Sequence, residues 1–235
     1  MGTRGTRGTP SAAARISLAY VTFCVGFDLD MTLVDSRSGV AEVMTRLAAE
    51  TGAPIDVAAV VGRLGPPLEQ ELANWFPAER IPAMAERYRE LYSGAGVRGV
   101  TPMPGALAAL SAIHAAGGRA VVVTAKSEPH GVAVVRRLDL QVDAVAGGRF
   151  GAAKGAALRE HGAGVYVGDH LGDIAAARAG DATAVAVATG MYDAAALLDA
   201  GADAVLPDLT HFPAWLAAHG PAGEAAADGG HGEVA

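Results

Sequence analysis

The amino-acid sequence predicts an α/β protein: a parallel sheet with helices on both faces, interrupted after its first strand by an inserted all-helical segment. Three observations predict it. The apolar run Val21 to Phe27 has the length and flanks of a buried strand. From Thr101 onward, short Val- and Ala-rich runs alternate with helical patterns, as they do where crossover helices join parallel strands. Between these, residues 36–99 show helical spacing and loop signals but no strand. With 235 residues and 51% hydrophobic content, the chain has material for one large domain carrying a smaller insert.

The elements follow in order. Arg4, Arg7 and Arg15 precede "ISLAYVTFCVGF", a basic-then-apolar pattern like that of a secretory leader. No small-residue cleavage site follows, and the run is too short to span a bilayer, so it reads as a strand and no targeting or membrane segment is expected. Residues 1–18, rich in Gly, Thr and Arg, and residues 219–235 are expected to be disordered. After Asp35, "SGVAEVMTRLAAETG" reads as a helix with Ser38 as N-cap and Gly52 as stop. "PLEQELANWF" and "PAMAERYRELY" read as two more, with "VGRLGPP" a loop before them. Then come a helix in "MPGALAALSAIHAAGG", a strand "RAVVVT", a helix at 128–137, a strand at 142–146 and a helix at 152–160. A strand "GVYVGD", a helix at 171–179, a strand "TAVAVAT", a strand at 203–206 and a helix at 211–218 complete the pattern. The core is therefore expected at 19–35 and 100–218, and the helical insertion at 36–99.

Charge and cysteine content limit the partners. A net charge of −7 and the lack of a basic aromatic surface argue against nucleic acid and against an anionic membrane. The single cysteine, Cys24, forms no internal disulfide and leaves no Cys pair for zinc, which suits a reducing cytoplasm. Only two of the 18 basic residues are lysines, Lys126 and Lys154.

Ligands of an open parallel sheet bind outside the carboxyl ends of its strands. Asp28 and Asp30 follow the first strand, Thr124 ends "RAVVVT", and Asp169 follows "GVYVG" with Asp173 four residues on. Clustered carboxylates repel and are costly to desolvate. A hard divalent cation relieves both costs, and Mg²⁺ typically bridges carboxylates to a phosphate. Thr124 adds a hydroxyl and a lysine adds a point charge for phosphate oxygens. The substrate class read from these residues is a small phosphorylated metabolite.

"DLDMTLVDS", the strand ending in Thr124, Lys154 and "GDHLGD", in that order, resemble the four motifs of the haloacid dehalogenase superfamily. The insertion resembles its C1-type cap, and the pattern is most similar to phosphoglycolate phosphatase-like members. The resemblance spans about residues 20–217 and implies a Rossmann-like core. It implies that Asp28 is a nucleophile forming an aspartyl-phosphate and that Asp30 is the general acid/base. It gives Thr124, Ala125 and Lys154, with backbone N–H groups near Leu29 and Asp30, to the phosphoryl group. It gives Mg²⁺ to Asp28, the Asp30 carbonyl, Asp169 and Asp173. Asp30 favours phosphate esters over carbon–halogen bonds, and the absence of lysine from 36–100 argues against Schiff-base phosphonate chemistry.

The implied function is a Mg²⁺-dependent phosphatase acting on phosphoglycolate or a similar phosphomonoester. The alternatives are a sugar phosphomutase of the same superfamily, a receiver-like signalling protein and a non-catalytic phospho-metabolite binder. The chain departs from the pattern at Met31, where the family usually has Gly, and at Lys154, which no proline follows. Lys126 in "TAKSE" competes with Lys154 for the phosphate, and Lys154 is preferred for its place in the motif order. "VGRLGPPLEQ" resembles the specificity loop of C1 caps, with Arg63 a candidate for a substrate carboxylate. His170 reads as a loop histidine, His114, His130 and His161 as ordinary helix or loop residues, and Trp75 and Trp215 as packing residues. The oligomeric state is not read from the sequence.

Overall fold

The computed structural model describes residues 23–220. The N-terminal arm and nearly all of the C-terminal tail expected to be disordered lie outside the described residues, as does the start of the first apolar run. The described chain opens with β1 (Cys24–Phe27) and the two-residue β2 (Val34–Asp35). A helical stretch follows: α1 (Arg37–Thr51), α2 (Val57–Gly62), α3 (Leu68–Leu72) and α4 (Ile81–Leu91). A π-helical segment, Tyr92–Gly96, leads to β3 (Thr101–Pro102), which pairs antiparallel with β2. The remainder alternates: α5 (Ala106–Ala115), β4 (Arg119–Val123), α6 (Glu128–Arg137), β5 (Ala144–Ala146), α7 (Ala152–His161), β6 (Val165–Gly168) and α8 (Leu171–Ala179). It ends with β7 (Thr183–Val187), α9 (Ala194–Asp199), β8 (Ala204–Leu206) and α10 (Phe212–His219).

Six strands form one parallel sheet in the order β5-β4-β1-β6-β7-β8. The chain builds outward from β1 to one side and then, from β6, to the other. The carboxyl end of β1 therefore sits at the switch point, where an open sheet leaves a crevice.

Strand alternation divides the core into two faces. Val25, Phe27, Val122, Val167, Val185 and Val187 face one way and pack with α5, α6 and α10 and with the helical insertion. The opposite face carries Val121, Val123, Tyr166, Ala184 and Ala186 and packs against α7, α8 and α9. Small residues let α7 approach closely: a Cβ at Gly26 would lie 2.6 Å from Leu158 Cδ2.

Three local readings change, one being the helix read in "PLEQELANWF", which ends at Leu72 as α3 and leaves 73–76 in turns. Helix α1 starts at Arg37 with Ser36 at its N-cap position, so Ser38 lies inside it. Asp35 supplies the acceptor instead, receiving the Arg37 N–H at 3.0 Å and its guanidinium as well. The stop is at Gly52 in the left-handed region, φ 68°. The loop before α3 is shorter than "VGRLGPP", because Val61 and Gly62 close α2.

The chain leaves and re-enters the sheet through a tight glycine crossing. A Cβ on Gly39 would lie 2.3 Å from the Gly96 carbonyl oxygen, and one on Gly99 would lie 2.7 Å from Gly39 Cα. No helix among the described residues is long and apolar enough to cross a membrane.

Candidate active site

The site begins with a tight turn after β1. Asp28 N–H donates to Val167 O at 2.8 Å, which ties the end of β1 to β6. Leu33 and Val34 N–H both donate to Leu29 O, and Met31 N–H donates to Val34 O at 2.7 Å. Met31 sits at φ 61° in this turn, a conformation that suits glycine and costs another residue about 1–2 kcal/mol. Its side chain is buried in the core, and its carbonyl accepts from Thr189 Oγ1 at 2.6 Å. Both contacts offset the strain, so the turn is made with a methionine where the family usually has glycine.

The turn presents Asp28 and Asp30 to different neighbours. Lys154, on the first turn of α7, places Nζ 2.8 Å from Asp28 Oδ1 and 2.6 Å from Asp173 Oδ1. Asp173, on the first turn of α8, also accepts from the His170 N–H at 3.1 Å, and His170 Nδ1 accepts from Gly172 N–H. This reciprocal capping box fixes Asp173 at a helix N-terminus that favours negative charge. Asp169 follows β6, and its Oδ1 accepts from Thr32 Oγ1 at 2.9 Å. The neighbouring backbone leaves these acids room by lacking side chains. A Cβ on Gly190 would lie 1.9 Å from Asp169 Oδ2, and one on Gly168 would lie 2.4 Å from Asp173.

Burial shapes the charge of this cluster. Desolvation raises the Asp28 carboxyl to about 6, against the lowering effect of Lys154. Asp169 is pushed well above the usual carboxylate range by burial and then by the charges of Asp173 and Asp28. Burial would lower Lys154, but Asp173 and Asp28 outweigh it and hold the ammonium charged. Among the described residues, Asp28, Asp169 and Asp173 form a cluster whose carboxylate oxygens lie within 4.8 Å of one another. Three hard oxygen donors with excess buried negative charge fit a magnesium-class cation.

Asp30 turns the other way, into a cavity of about 360 Å³ between the sheet edge and the helical insertion. Its Oδ2 lies 3.1 Å from Lys126 Nζ, while its Oδ1 is buried with no hydrogen-bond partner among the described residues. Lys126 Nζ also sits 4.2 Å from the centre of the Tyr92 ring. Burial would lower Lys126, but Asp30 and then Tyr92 raise it.

Thr124, at the end of β4, is buried, and its Oγ1 accepts the Lys126 N–H at 3.2 Å. Thr124, Ala125 and Arg63 line the same cavity as Asp28 and Asp30. Lys154, Asp169 and Asp173 line an adjoining cleft that shares Asp28. The nominated side chains are thus contiguous, with Asp28 common to both spaces.

Other residues at the site were not singled out for it. His130 lines the cavity and bridges Ser127 Oγ at 2.9 Å and Ser93 Oγ at 3.0 Å. It joins α6 to the π-helical segment rather than being an ordinary helix residue. Gly65 of the insertion reaches the core at His170: a Cβ there would lie 2.8 Å from His170 Cδ2. Trp75 packs as read and also donates its Nε1–H to Glu71 at 2.7 Å. Trp215 packs beside Phe212, with ring centres 5.7 Å apart.

Comparison with known proteins fits this geometry. The family model of haloacid dehalogenase-like hydrolases matches residues 25–178, and a second, HAD-hydrolase-like, matches residues 150–212. A phosphoglycolate phosphatase of Rhodospirillum rubrum is 31% identical over 223 residues, covering 84% of this chain and 92% of that one. A predicted phosphatase from Clostridium acetobutylicum superposes with a TM-score of 0.73 at 22% identity, over 83% of this chain and 98% of its own. A haloacid dehalogenase-like family hydrolase from Streptococcus pneumoniae gives 0.73 at 24% identity, again over 83% and 98%.

Proposed function

Because the chain belongs to the haloacid dehalogenase-like hydrolases, we propose that it is a Mg²⁺-dependent phosphatase of phosphoglycolate or a similar small phosphomonoester, working through an aspartyl-phosphate on Asp28. One observation carries this reading: three buried carboxylates meet around one point, while Asp30 lines the adjoining cavity beside Asp28.

Asp28 attacks phosphorus in line, and the bond from phosphorus to the ester oxygen breaks. Asp30 gives its proton to the leaving alkoxide, while Lys126 holds its Oδ2. Asp30 then takes a proton from water, which attacks the phosphoryl group and releases phosphate and Asp28. The Thr124 hydroxyl and the Lys154 ammonium receive phosphoryl oxygens, so charge is stabilised by groups already in position. Asp28, the Asp30 carbonyl, Asp169 and Asp173 would hold Mg²⁺, which when bound neutralises the carboxylates and the phosphoryl oxygens.

Residues 36–99 act as a cap over this site, with the Gly65–His170 contact as one seat of closure. A reducing, cytoplasmic setting suits the single buried thiol of Cys24.

The test is phosphate release from a panel of small phosphomonoesters, phosphoglycolate among them, with and without Mg²⁺. Asp28→Asn is expected to lower turnover by about 10⁴-fold or more. Undiminished release by that variant, or by the metal-free protein, would sink the mechanism. Sugar phosphates converted to an isomer without free phosphate would make the chain a mutase instead.

A further inference from the structure

The cavity wall contributed by the cap carries two arginines, Arg63 and Arg89, and either has the geometry to take a substrate carboxylate. Both are already engaged. Arg63 Nε and Nη2 donate to Glu71 Oε2 and Oε1 at 2.8 and 2.7 Å, a fork-to-fork pair. Glu71 is buried, and its Oε1 also accepts from Trp75 Nε1. The Arg63 guanidinium lies 5.7 Å from the centre of the Trp75 ring. Arg89 is paired with Glu69, two residues before Glu71 on α3.

All four charged groups line the cavity, so this wall is formally neutral. Turning Arg63 toward a substrate would break both bonds, give up the ring contact and leave a buried carboxylate uncompensated, which is strongly unfavourable. On the opposite wall, Lys126 is matched by Asp30. Beyond these pairs the cap wall is uncharged: Val40, Met44, Val60, Leu64 and Leu68 line the space, with the rings of Tyr88 and Tyr92. A second negative charge on the leaving alcohol would lose its water and meet no cation of the cap wall that is not already paired.

We propose that Glu71 sets the charge selectivity of this site: by occupying Arg63 it tunes the cavity for phosphomonoesters whose leaving alcohol is uncharged, in preference to carboxylated ones. This rests on the phosphatase reading and turns its substrate class from phosphoglycolate toward the similar phosphomonoesters that carry no carboxylate. Glu71 is a positioning residue, acting through Arg63.

Two esters of the same shape isolate the charge: phosphoglycolate and its amide, carbamoylmethyl phosphate. In the wild type with Mg²⁺, kcat/KM for the amide is expected to exceed that for phosphoglycolate by about tenfold or more, the scale of one charge-assisted hydrogen bond. Glu71→Gln keeps an acceptor for Trp75 but frees Arg63. It is expected to move the ratio toward phosphoglycolate by about tenfold, through KM for that ester, and Arg63→Ala in the same chain is expected to cancel the gain. A wild type that prefers phosphoglycolate, and loses that preference in Arg63→Ala, overturns the proposal while leaving the phosphatase intact. Equal kcat/KM for both esters, or an unmoved ratio in folded Glu71→Gln, overturns it too. Should Glu71→Gln fail to fold, the wild-type ratio decides. No phosphate from these or any panel ester removes the phosphatase reading and this inference together.

Discussion

Lys154 and Lys126 are the only lysines of the chain, and each meets a carboxylate of the turn that follows β1. Lys154 lies behind that turn, bonded to Asp28 and Asp173 beside Asp169, in a cleft with little free space. Lys126 lies in front of it, between Asp30 and the ring of Tyr92, on the open cavity. The first holds together a cluster of excess negative charge. The second holds one carboxylate and touches the segment through which the insertion returns. On the proposed mechanism one side of the turn serves the phosphoryl group, and the other whatever that group is attached to.

Removing each lysine tests this division. Lys154→Met leaves two buried carboxylates without their cation, and is expected to cost about 3–5 kcal/mol of stability. It is also expected to lower turnover by about 10³-fold for every ester, as loss of a group acting on the transferring phosphoryl does. Denaturant melts and steady-state rates on several esters check this; a mild, ester-dependent loss would erase the contrast with Lys126.

Magnesium separates the two sides without reference to turnover. At about 100 times its Kd, Mg²⁺ is expected to stabilise the wild type by about 2.7 kcal/mol. Thermal melts should show this gain lost in Asp169→Asn and kept in Lys126→Met. Loss in both would place the cation on the cavity side.

Lys126→Met is expected to lower kcat/KM by about 10–100-fold for alkyl phosphates, whose leaving oxygen needs its proton early. An aryl phosphate, with a better leaving group, should lose less. Equal losses would detach Lys126 from the acid's role.

The smallest effect concerns His130, which joins the two halves through Ser127 and Ser93. Burial, then the charge of Lys126, holds its pKa below the usual value. The stability contributed by the neutral ring is therefore complete above the unfolded value of about 6.5, and is lost as pH falls through the lower folded value. Melting temperatures of the wild type and His130→Gln should converge as pH falls from 7.5 to 5, by the equivalent of about 1 kcal/mol. A constant gap would mean the ring is not held neutral by its surroundings.

The core was legible in sequence because its strands are continuous apolar runs ended by polar residues, and because those ends share one edge of a parallel sheet. The six-stranded sheet and its helices follow from that pattern. Less visible were α2 and α9, of six residues each and rich in alanine, and the paired β2 and β3, of two residues each. Segments that short leave no periodicity to count.

At the site, Asp28, Asp30, Thr124, Lys154, Asp169 and Asp173 could be nominated from their strand-end and motif positions. Their pairing could not, since Lys154 and Asp28 are 126 residues apart. The sequence marked Arg63 but not Glu71. The Gly-Pro loop between them breaks any helical or strand periodicity, so nothing local ties them together. Ser127 lies next to Lys126 and three residues before His130, a hint of the junction network that only the folded chain makes specific.

The glycine crossing at Gly39, Gly96 and Gly99 bears on how such a protein diversifies. With departure and return pinned at one place, the backbone threaded between residues 40 and 95 enters and leaves through one crossing. Another helical module of matching span could enter and leave at the same crossing without rerouting the strands of the sheet. New chemistry at the leaving-group end can be acquired by transplant, provided the three glycines travel with the graft or stay in the host.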